Sequence, residues 1–139
     1  MHNFQYTDSK IKEELEKQVY QLINTSQGYT NCSIAVIDDN SAIVTDKGLY
    51  KILLKHNIDV LYIQNKLDIK LLTSEGYSNK TGFIGGAISR IDENVIVFGD
   101  LNKIDPDEKI REFILSKKLG IIEFKGLDVI DYGGMVLLN

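Results

Sequence analysis

Cysteine and proline each occur only once in this 139-residue sequence, as Cys32 and Pro106. One cysteine cannot form an internal disulfide bond, and the simplest location for such a chain is the reducing cytoplasm. No apolar run approaches the roughly 20 residues that a membrane-spanning helix needs. The N-terminal stretch "MHNFQYTDSK" lacks the basic start and apolar centre of a secretory signal. We therefore expect a cytoplasmic protein without a membrane partner.

Positively charged residues are fewer than negatively charged ones. Sixteen lysines and arginines stand against twenty aspartates and glutamates, which gives a net charge of −4. Nucleic-acid binders carry basic patches, so we expect no nucleic-acid partner. The sequence has no CxxC or HExxH spacing and no GxxxxGK[ST] phosphate loop, and we expect no metal and no cofactor.

What the sequence does contain is enough apolar residues for a core. Hydrophobic residues make up 43% and charged residues 26%, the balance of an ordinary globular protein. No linker, low-complexity tract or long charge block interrupts it. We expect residues 1–139 to form a single α/β domain.

The same order of elements is predicted twice. Residues 31–37, a turn, residues 42–45, a helix and residues 58–63 make the first pass, and residues 82–91 begin the second. The turns "IDDN" and "IDEN" match, so Asp38 and Asp92 are predicted at equivalent turns. Each pass then has a helix. Leu49, Ile52 and Leu53 form the buried stripe of the first, and Asp105, Pro106 and Phe113 are the N-cap, the first residue and part of the buried stripe of the second.

This pattern predicts about two and a half ββαβ repeats, with mixed sheet and helices on one side. The stretches "HNFQYTD", "QGYTNCSIAVIDDN", "GFIGGA", "VIVFGDL" and "VIDYGG" resemble the C-terminal part of an uncharacterised family from anaerobic Gram-positive bacteria. Its members usually carry further sequence upstream, so a shortened or partial bacterial member is expected. The repeats are in turn similar to the pentein fold of guanidino-group-modifying enzymes and of a ribosome anti-association factor. Penteins close a ring of five units, so this chain is expected to form an open layer or to be completed by a second copy in a homo-oligomer.

The pentein resemblance implies a cysteine nucleophile, a histidine that moves the proton and carboxylates that hold a cationic substrate. On this chain those roles fall to Cys32, His2 and Asp131. Each also has a purely structural interpretation. Cys32 aligns with Gly86 and would then be a small buried residue, His2 would belong to a loose terminus, and the other histidine, His56, would satisfy a helix end.

Binding residues are predicted around the same crevice. The turn acids Asp38 and Asp92 could face it, although turn acids most often bind their own backbone. The glycine pairs Gly85-Gly86 and Gly133-Gly134 permit close backbone approach.

Two functions remain open on the sequence. One is binding or hydrolase-like chemistry on a small guanidino or amidino compound at a Cys32-centred crevice. The other is a noncatalytic structural or assembly module built from the same repeats.

Overall fold

The computed structural model describes residues 5, 8–17, 23–25, 30–72, 80–135 and 138, with the backbone alone at 30 and 31. The chain divides into two compact units, Met1–Asn31 and Cys32–Asn139. The prediction of one domain over residues 1–139 stays a prediction. In the first unit, helix α1 (Ser9–Lys17) follows Asp8, whose carboxylate accepts a hydrogen bond from the Lys10 N–H. Ile11 of this helix is 58% exposed.

The remaining described elements alternate between strands and short helices. In chain order they are α2 (Thr30–Ser33), β1 (Ile34–Asp38), β2 (Ser41–Val44), α3 (Lys47–Lys55), β3 (Asp59–Tyr62), β4 (Lys70–Leu71), α4 (Ile84–Ala87), β5 (Ile88–Ile91), β6 (Asn94–Val97), the 3-10 helix Leu101–Lys103, α5 (Lys109–Ser116), β7 (Gly120–Ile122) and β8 (Ile130–Asp131). The described chain is therefore a mixed α/β protein.

Three small sheets, rather than one, hold the described strands. The first sheet has the order β1-β2-β3, the second has the order β5-β6-β7, and the third pairs β4 with β8. In the first sheet β1 and β2 are antiparallel while β2 and β3 are parallel. The second sheet has the same directions, because β5 and β6 are antiparallel and β6 and β7 are parallel. Both three-stranded sheets therefore place an antiparallel hairpin beside one parallel strand.

A single helical turn precedes each hairpin where the sequence predicts strand. α2 runs directly into β1, and α4 runs directly into β5. The prediction of strand is wrong at residues 31–33 of the first segment and at residues 84–87 of the second. Over four residues a hydrophobic pattern cannot distinguish a helical turn from a strand, so the error has a physical cause.

The two hairpins close differently. The first has an irregularity between Val36 and Asp38, and Asp38 pairs with Ser41 as the last residue of β1. In the second, Ile91 pairs with Asn94 and Asp92 is a turn residue with φ +52°. The bulge adds one residue to the first hairpin, so Asp38 and Asp92 do not occupy equivalent turn positions, contrary to the sequence prediction.

The predicted helices α3 and α5 form, but α5 begins later than expected. Asp46 caps α3 by accepting a hydrogen bond from the Leu49 N–H, as predicted. α5 begins at Lys109, with Glu108 before it in the left-handed region at φ +56°. Asp105 is therefore not its N-cap, yet its two carboxylate oxygens accept the N–H groups of Ile110 and Arg111. A buried aspartate thus satisfies the first-turn amides from outside the helix.

One contiguous core joins the two three-stranded sheets. It contains Ala35 and Ile43 of the first sheet, Val95 and Val97 of the second, and Ile114 of α5. Leu49 and Leu53 of α3 are buried as predicted. None of the helices within the described residues is long and apolar enough to cross a membrane.

Candidate functional site

The predicted site residues that come together lie where two glycine-rich segments meet, residues 83–89 and 131–135, here called the glycine clasp. Asp131 is its centre. One carboxylate oxygen accepts the Phe83 N–H at 2.8 Å, and the other accepts the Gly133 N–H at 2.9 Å. The Asp131 side chain therefore joins the start of α4 to the chain segment that follows β8.

The backbone of Gly86 completes the glycine clasp. Its carbonyl oxygen accepts the N–H groups of Tyr132 at 3.1 Å and Gly134 at 3.2 Å. A Cβ atom added at Gly86 would lie 1.7 Å from a carboxylate oxygen of Asp131. Residue 86 must therefore be glycine for the Asp131 carboxylate to occupy this place.

The other glycines of the clasp have conformational roles. Gly133 and Gly134 adopt φ values of +83° and +90°, which favour glycine. A Cβ atom at Gly134 would be 3.4 Å from the carbonyl oxygen of Gly85, which is close contact. The Met135 N–H donates to the Ser89 hydroxyl at 3.0 Å, a contact that no sequence pattern predicts. Gly86, Gly133 and Gly134, predicted to bind a ligand, thus lie together and are bonded to one another or to Asp131.

Cys32 is exposed, and it is the third residue of α2 just as Gly86 is the third residue of α4. The alignment of these two positions is therefore kept in the fold. The reason for glycine at residue 86, the adjacent Asp131 carboxylate, explains only that position. The interpretation of Cys32 as a small buried residue is wrong, because its side chain reaches solvent.

Of the two histidines, one lies within the described part of the chain. His2 lies outside the described residues. The Nδ1 atom of His56 is 2.9 Å from the carbonyl oxygen of Ile52, at the C-terminal end of α3. This contact agrees with the structural interpretation of His56 as a residue that satisfies a helix end.

The turn acids bind local groups. Asp38 accepts the Asn40 N–H at 2.9 Å. The neighbouring Ser41 hydroxyl lowers the pKa of Asp38 most, burial opposes this shift, and the Asn40 amide and the charges of Lys117 and Arg90 lower the pKa further. The Ser41 Oγ atom itself is buried and makes no hydrogen bond within the described residues. The backbone carbonyl oxygen of Asp92 accepts a hydrogen bond from Arg90 Nε at 3.0 Å. The two acids therefore stabilise their own hairpin ends.

A charged network beside the second sheet was not predicted from the sequence. Arg111 donates from Nη2 to both carboxylate oxygens of Glu123, at 2.9 and 3.0 Å, and Lys125 lies 2.9 Å from the same carboxylate. Burial disfavours the charge of Glu123, but Lys125, Arg111 and the Leu101 N–H outweigh it and lower the pKa of Glu123. Twelve residues separate Arg111 from Glu123, and no periodicity or motif connects them.

A cleft of about 490 Å³ lies between the β3–β4 connection and the start of α5. Its charged lining residues are Lys66, Asp68, Lys103, Asp105, Asp107 and Lys109. Three positive and three negative side chains balance, so the cleft has no electrostatic preference for a cationic ligand. Among the described residues, no group of three or more histidine, cysteine or acidic side chains could hold a metal ion.

These features define a mixed α/β protein with two similar sheet-and-helix segments, the second of which begins and ends at the glycine clasp. The model of a family of unknown function, DUF6873, matches residues 1–136, and the chain belongs to this family. No curated protein and no solved structure matches the chain at a significant level.

Proposed function

We propose that the chain is a noncatalytic assembly module built from two successive pentein-like units, residues 30–72 and 84–131. The shared order and directions of the two three-stranded sheets support this repeat. So does the pairing of β4 with β8, since these strands end the two segments and begin at the last residues of the similar stretches "LDIK" and "LDVI". We further propose a cytoplasmic location, because one cysteine suits a reducing compartment.

The proposal of a noncatalytic role depends on the hydrogen bonds that the Asp131 carboxylate already makes. A carboxylate that binds a guanidinium group needs free oxygen atoms facing the ligand. Both oxygens of Asp131 instead accept backbone N–H groups, at 2.8 and 2.9 Å. A ligand at this position would meet a carboxylate whose two oxygens each already accept one charge-assisted hydrogen bond, which leaves about half of its acceptor positions. Asp131 is thereby suited to stabilising the fold rather than to binding a cation.

A thermal-shift screen of guanidino and amidino compounds tests the noncatalytic role. We expect no rise in melting temperature with arginine, agmatine or benzamidine at concentrations up to about 10 mM, where a ligand with Kd near 0.1 mM would add roughly 2.7 kcal/mol. Sodium chloride at the same ionic strength is the control for nonspecific effects. A saturable rise with one of these compounds would overturn the proposal.

The exposure of Cys32 favours a second candidate, cysteine-dependent chemistry on an amidino compound. A nucleophilic thiol must reach its substrate, and the Cys32 side chain is open to solvent. Activation requires a neighbour that lowers the thiol pKa, and His2 is the residue that the resemblance assigns to proton transfer. In this case iodoacetamide should alkylate Cys32 in the folded protein at pH 6 nearly as fast as at pH 8. An alkylation rate that falls about tenfold per pH unit between 8 and 6 would show an ordinary thiol and refute this candidate.

A further inference from the structure

The cleft between the β3–β4 connection and the start of α5 combines a packed base with polar walls. Its volume of about 490 Å³ lies within the range of about 300–1,000 Å³ that small-molecule sites occupy. Ile104 and Ile110 belong both to its lining and to the buried core, whereas Gln64 and Asn65 are exposed. The core therefore fixes one part of the lining, and polar side chains form another.

Two of the six charged side chains in the lining are neutralised by residues outside it. Lys70 Nζ lies 2.8 Å from a carboxylate oxygen of Asp68, and Lys103 Nζ lies 3.0 Å from a carboxylate oxygen of Asp128. Each of these pairs adds no net charge to the cleft. Asp68 and Lys103 therefore give a ligand neither a free anion nor a free cation.

Asp105 is also occupied by the protein. It is 5% exposed, and its two carboxylate oxygens accept the N–H groups of Ile110 and Arg111. The positive end of the α5 dipole compensates the charge of this carboxylate further. Asp105 therefore serves the helix, and the two amides that it accepts are not available to an anion.

Three charged side chains of the lining remain, and all three are exposed: Lys66, Lys109 and Asp107. Within the described part of the chain none of them forms an ion pair. Lys66 belongs to the β3–β4 connection, and Lys109 is the first residue of α5. Each of the two segments that border the cleft thus contributes one unpaired ammonium group. The charges available to a ligand sum to +1, although all six lining charges sum to zero.

We propose that this cleft binds a small phosphate monoester, whose phosphate is held by Lys66 and Lys109. A phosphate monoester carries about −1.5 to −2 charges at pH 7 and three acceptor oxygens, so it can bind two ammonium groups at once. Lysine is a common phosphate ligand in proteins. The Asp107 carboxylate and the carboxamides of Gln64 and Asn65 are suited to hydroxyl groups on the organic part of the ester.

This inference goes beyond the proposed assembly role and does not depend on it. The cleft shares no residue with the glycine clasp. Its ligand class is anionic, unlike the guanidino and amidino compounds considered for the clasp. A positive or negative result at the cleft therefore leaves the test of the noncatalytic role unchanged.

Nuclear magnetic resonance of the full, ¹⁵N-labelled chain tests the site. Glucose 6-phosphate and inorganic phosphate are titrated separately at pH 7.5 and low ionic strength, with glucose as the control that lacks phosphate. We expect saturable shifts of the amide signals of residues 64–67 and 107–110, with Kd of about 0.1–3 mM for the ester because its charge partners are exposed. Inorganic phosphate should shift the same signals, and glucose should not.

Substitutions that change charge in opposite directions separate this site from general attraction of anions. Lys66→Gln and Lys109→Gln should each raise the Kd for inorganic phosphate about threefold to tenfold, because each removes one ammonium group. Asp107→Asn should lower it about twofold to fivefold, because it removes a repelling charge. Lys51→Gln and Lys55→Gln are matched controls on α3, since these lysines are also exposed and lie outside the cleft lining. They should leave the Kd unchanged within about 1.5-fold.

The pH dependence of the wild type keeps the test decisive if a variant fails to fold. The second pKa of a phosphate monoester lies near 6, so the Kd for glucose 6-phosphate should rise at least about threefold between pH 7.5 and pH 5. Shifts that do not saturate, shifts spread equally over the lysines of α3, or a Kd that both lysine substitutions leave unchanged would overturn the inference. A Kd that is the same at both pH values would also overturn it.

Discussion

Replacing Gly86 by alanine tests the glycine clasp most directly. The new Cβ atom would lie 1.7 Å from a carboxylate oxygen of Asp131 and 2.5 Å from its carboxyl carbon. Atoms that are not bonded to each other cannot lie this close, so the carboxylate must move. It would then lose the hydrogen bonds from the N–H groups of Phe83 and Gly133.

The expected cost follows from those two bonds. A hydrogen bond to a charged group contributes about 1.5–3 kcal/mol, and the half-buried position of Asp131 places these two at the lower end. Alanine in a helical turn returns roughly 0.5–1 kcal/mol relative to glycine. We therefore expect Gly86→Ala to lower the free energy of unfolding by about 2–3 kcal/mol.

Urea unfolding followed by far-ultraviolet circular dichroism measures the change. Asp131→Ala should cost a similar amount, and the double variant should cost no more than Asp131→Ala alone, which gives a coupling energy of about 2 kcal/mol. Gly126→Ala is the matched control. Gly126 has φ +82° but nothing within 4 Å of an added Cβ atom, so it reports the backbone cost alone, about 1 kcal/mol. A loss below about 1 kcal/mol at Gly86, or additive effects in the double variant, would refute the steric argument.

Three further predictions concern the helices and pH. Lys118 follows α5 at φ +60°, so Lys118→Gly should raise the free energy of unfolding by about 0.5–1 kcal/mol, and a lower urea midpoint would contradict this. Phe113 is half-buried rather than fully buried as the sequence predicts, so Phe113→Ala should lower the free energy of unfolding by about 1.5–3 kcal/mol. Ile114 is fully buried, so Ile114→Ala should lower it by about 3–4 kcal/mol in the same assay. A larger loss for Phe113→Ala than for Ile114→Ala would contradict this packing. The pKa values of Asp38 and Glu123 are lowered in the folded chain, so both carboxylates stabilise it above their ordinary pKa values of 3.8 and 4.5 and this stabilisation is lost as pH falls. The urea concentration at the midpoint of unfolding should therefore decrease as the pH is lowered below about 4.5. Glu123→Gln should make this decrease smaller.

The expectations that came from local sequence patterns were mostly correct. The buried stripe of α3 at Leu49 and Leu53 is confirmed, as is the capping of this helix by Asp46. The paired "IDDN" and "IDEN" stretches do lie at the ends of two hairpins in sheets of the same strand order. Each of these features depends on residues within about a turn of one another, so the sequence contains the necessary information.

Contacts between residues that are far apart in the sequence could not be predicted from local patterns. Asp131 accepts a hydrogen bond from the Phe83 N–H, which lies 48 positions away in the sequence. The acid that was predicted to hold a cationic ligand therefore stabilises the fold. Asp105 follows the same logic, since its burial lets it satisfy α5 without being its N-cap.

The sequence by itself determined most of the segments that become strands and helices, though not the helical turns α2 and α4, because hydrophobic periodicity and capping are local properties. Only the tertiary structure decided that Gly86 must be glycine, that Cys32 reaches solvent, and that Ile122 and Phe124 are exposed whereas Leu61 and Ile63 pack against the core. The physical reason is the same in each case. Burial and steric contact depend on which element packs alongside a residue, and here that element comes from a different part of the chain.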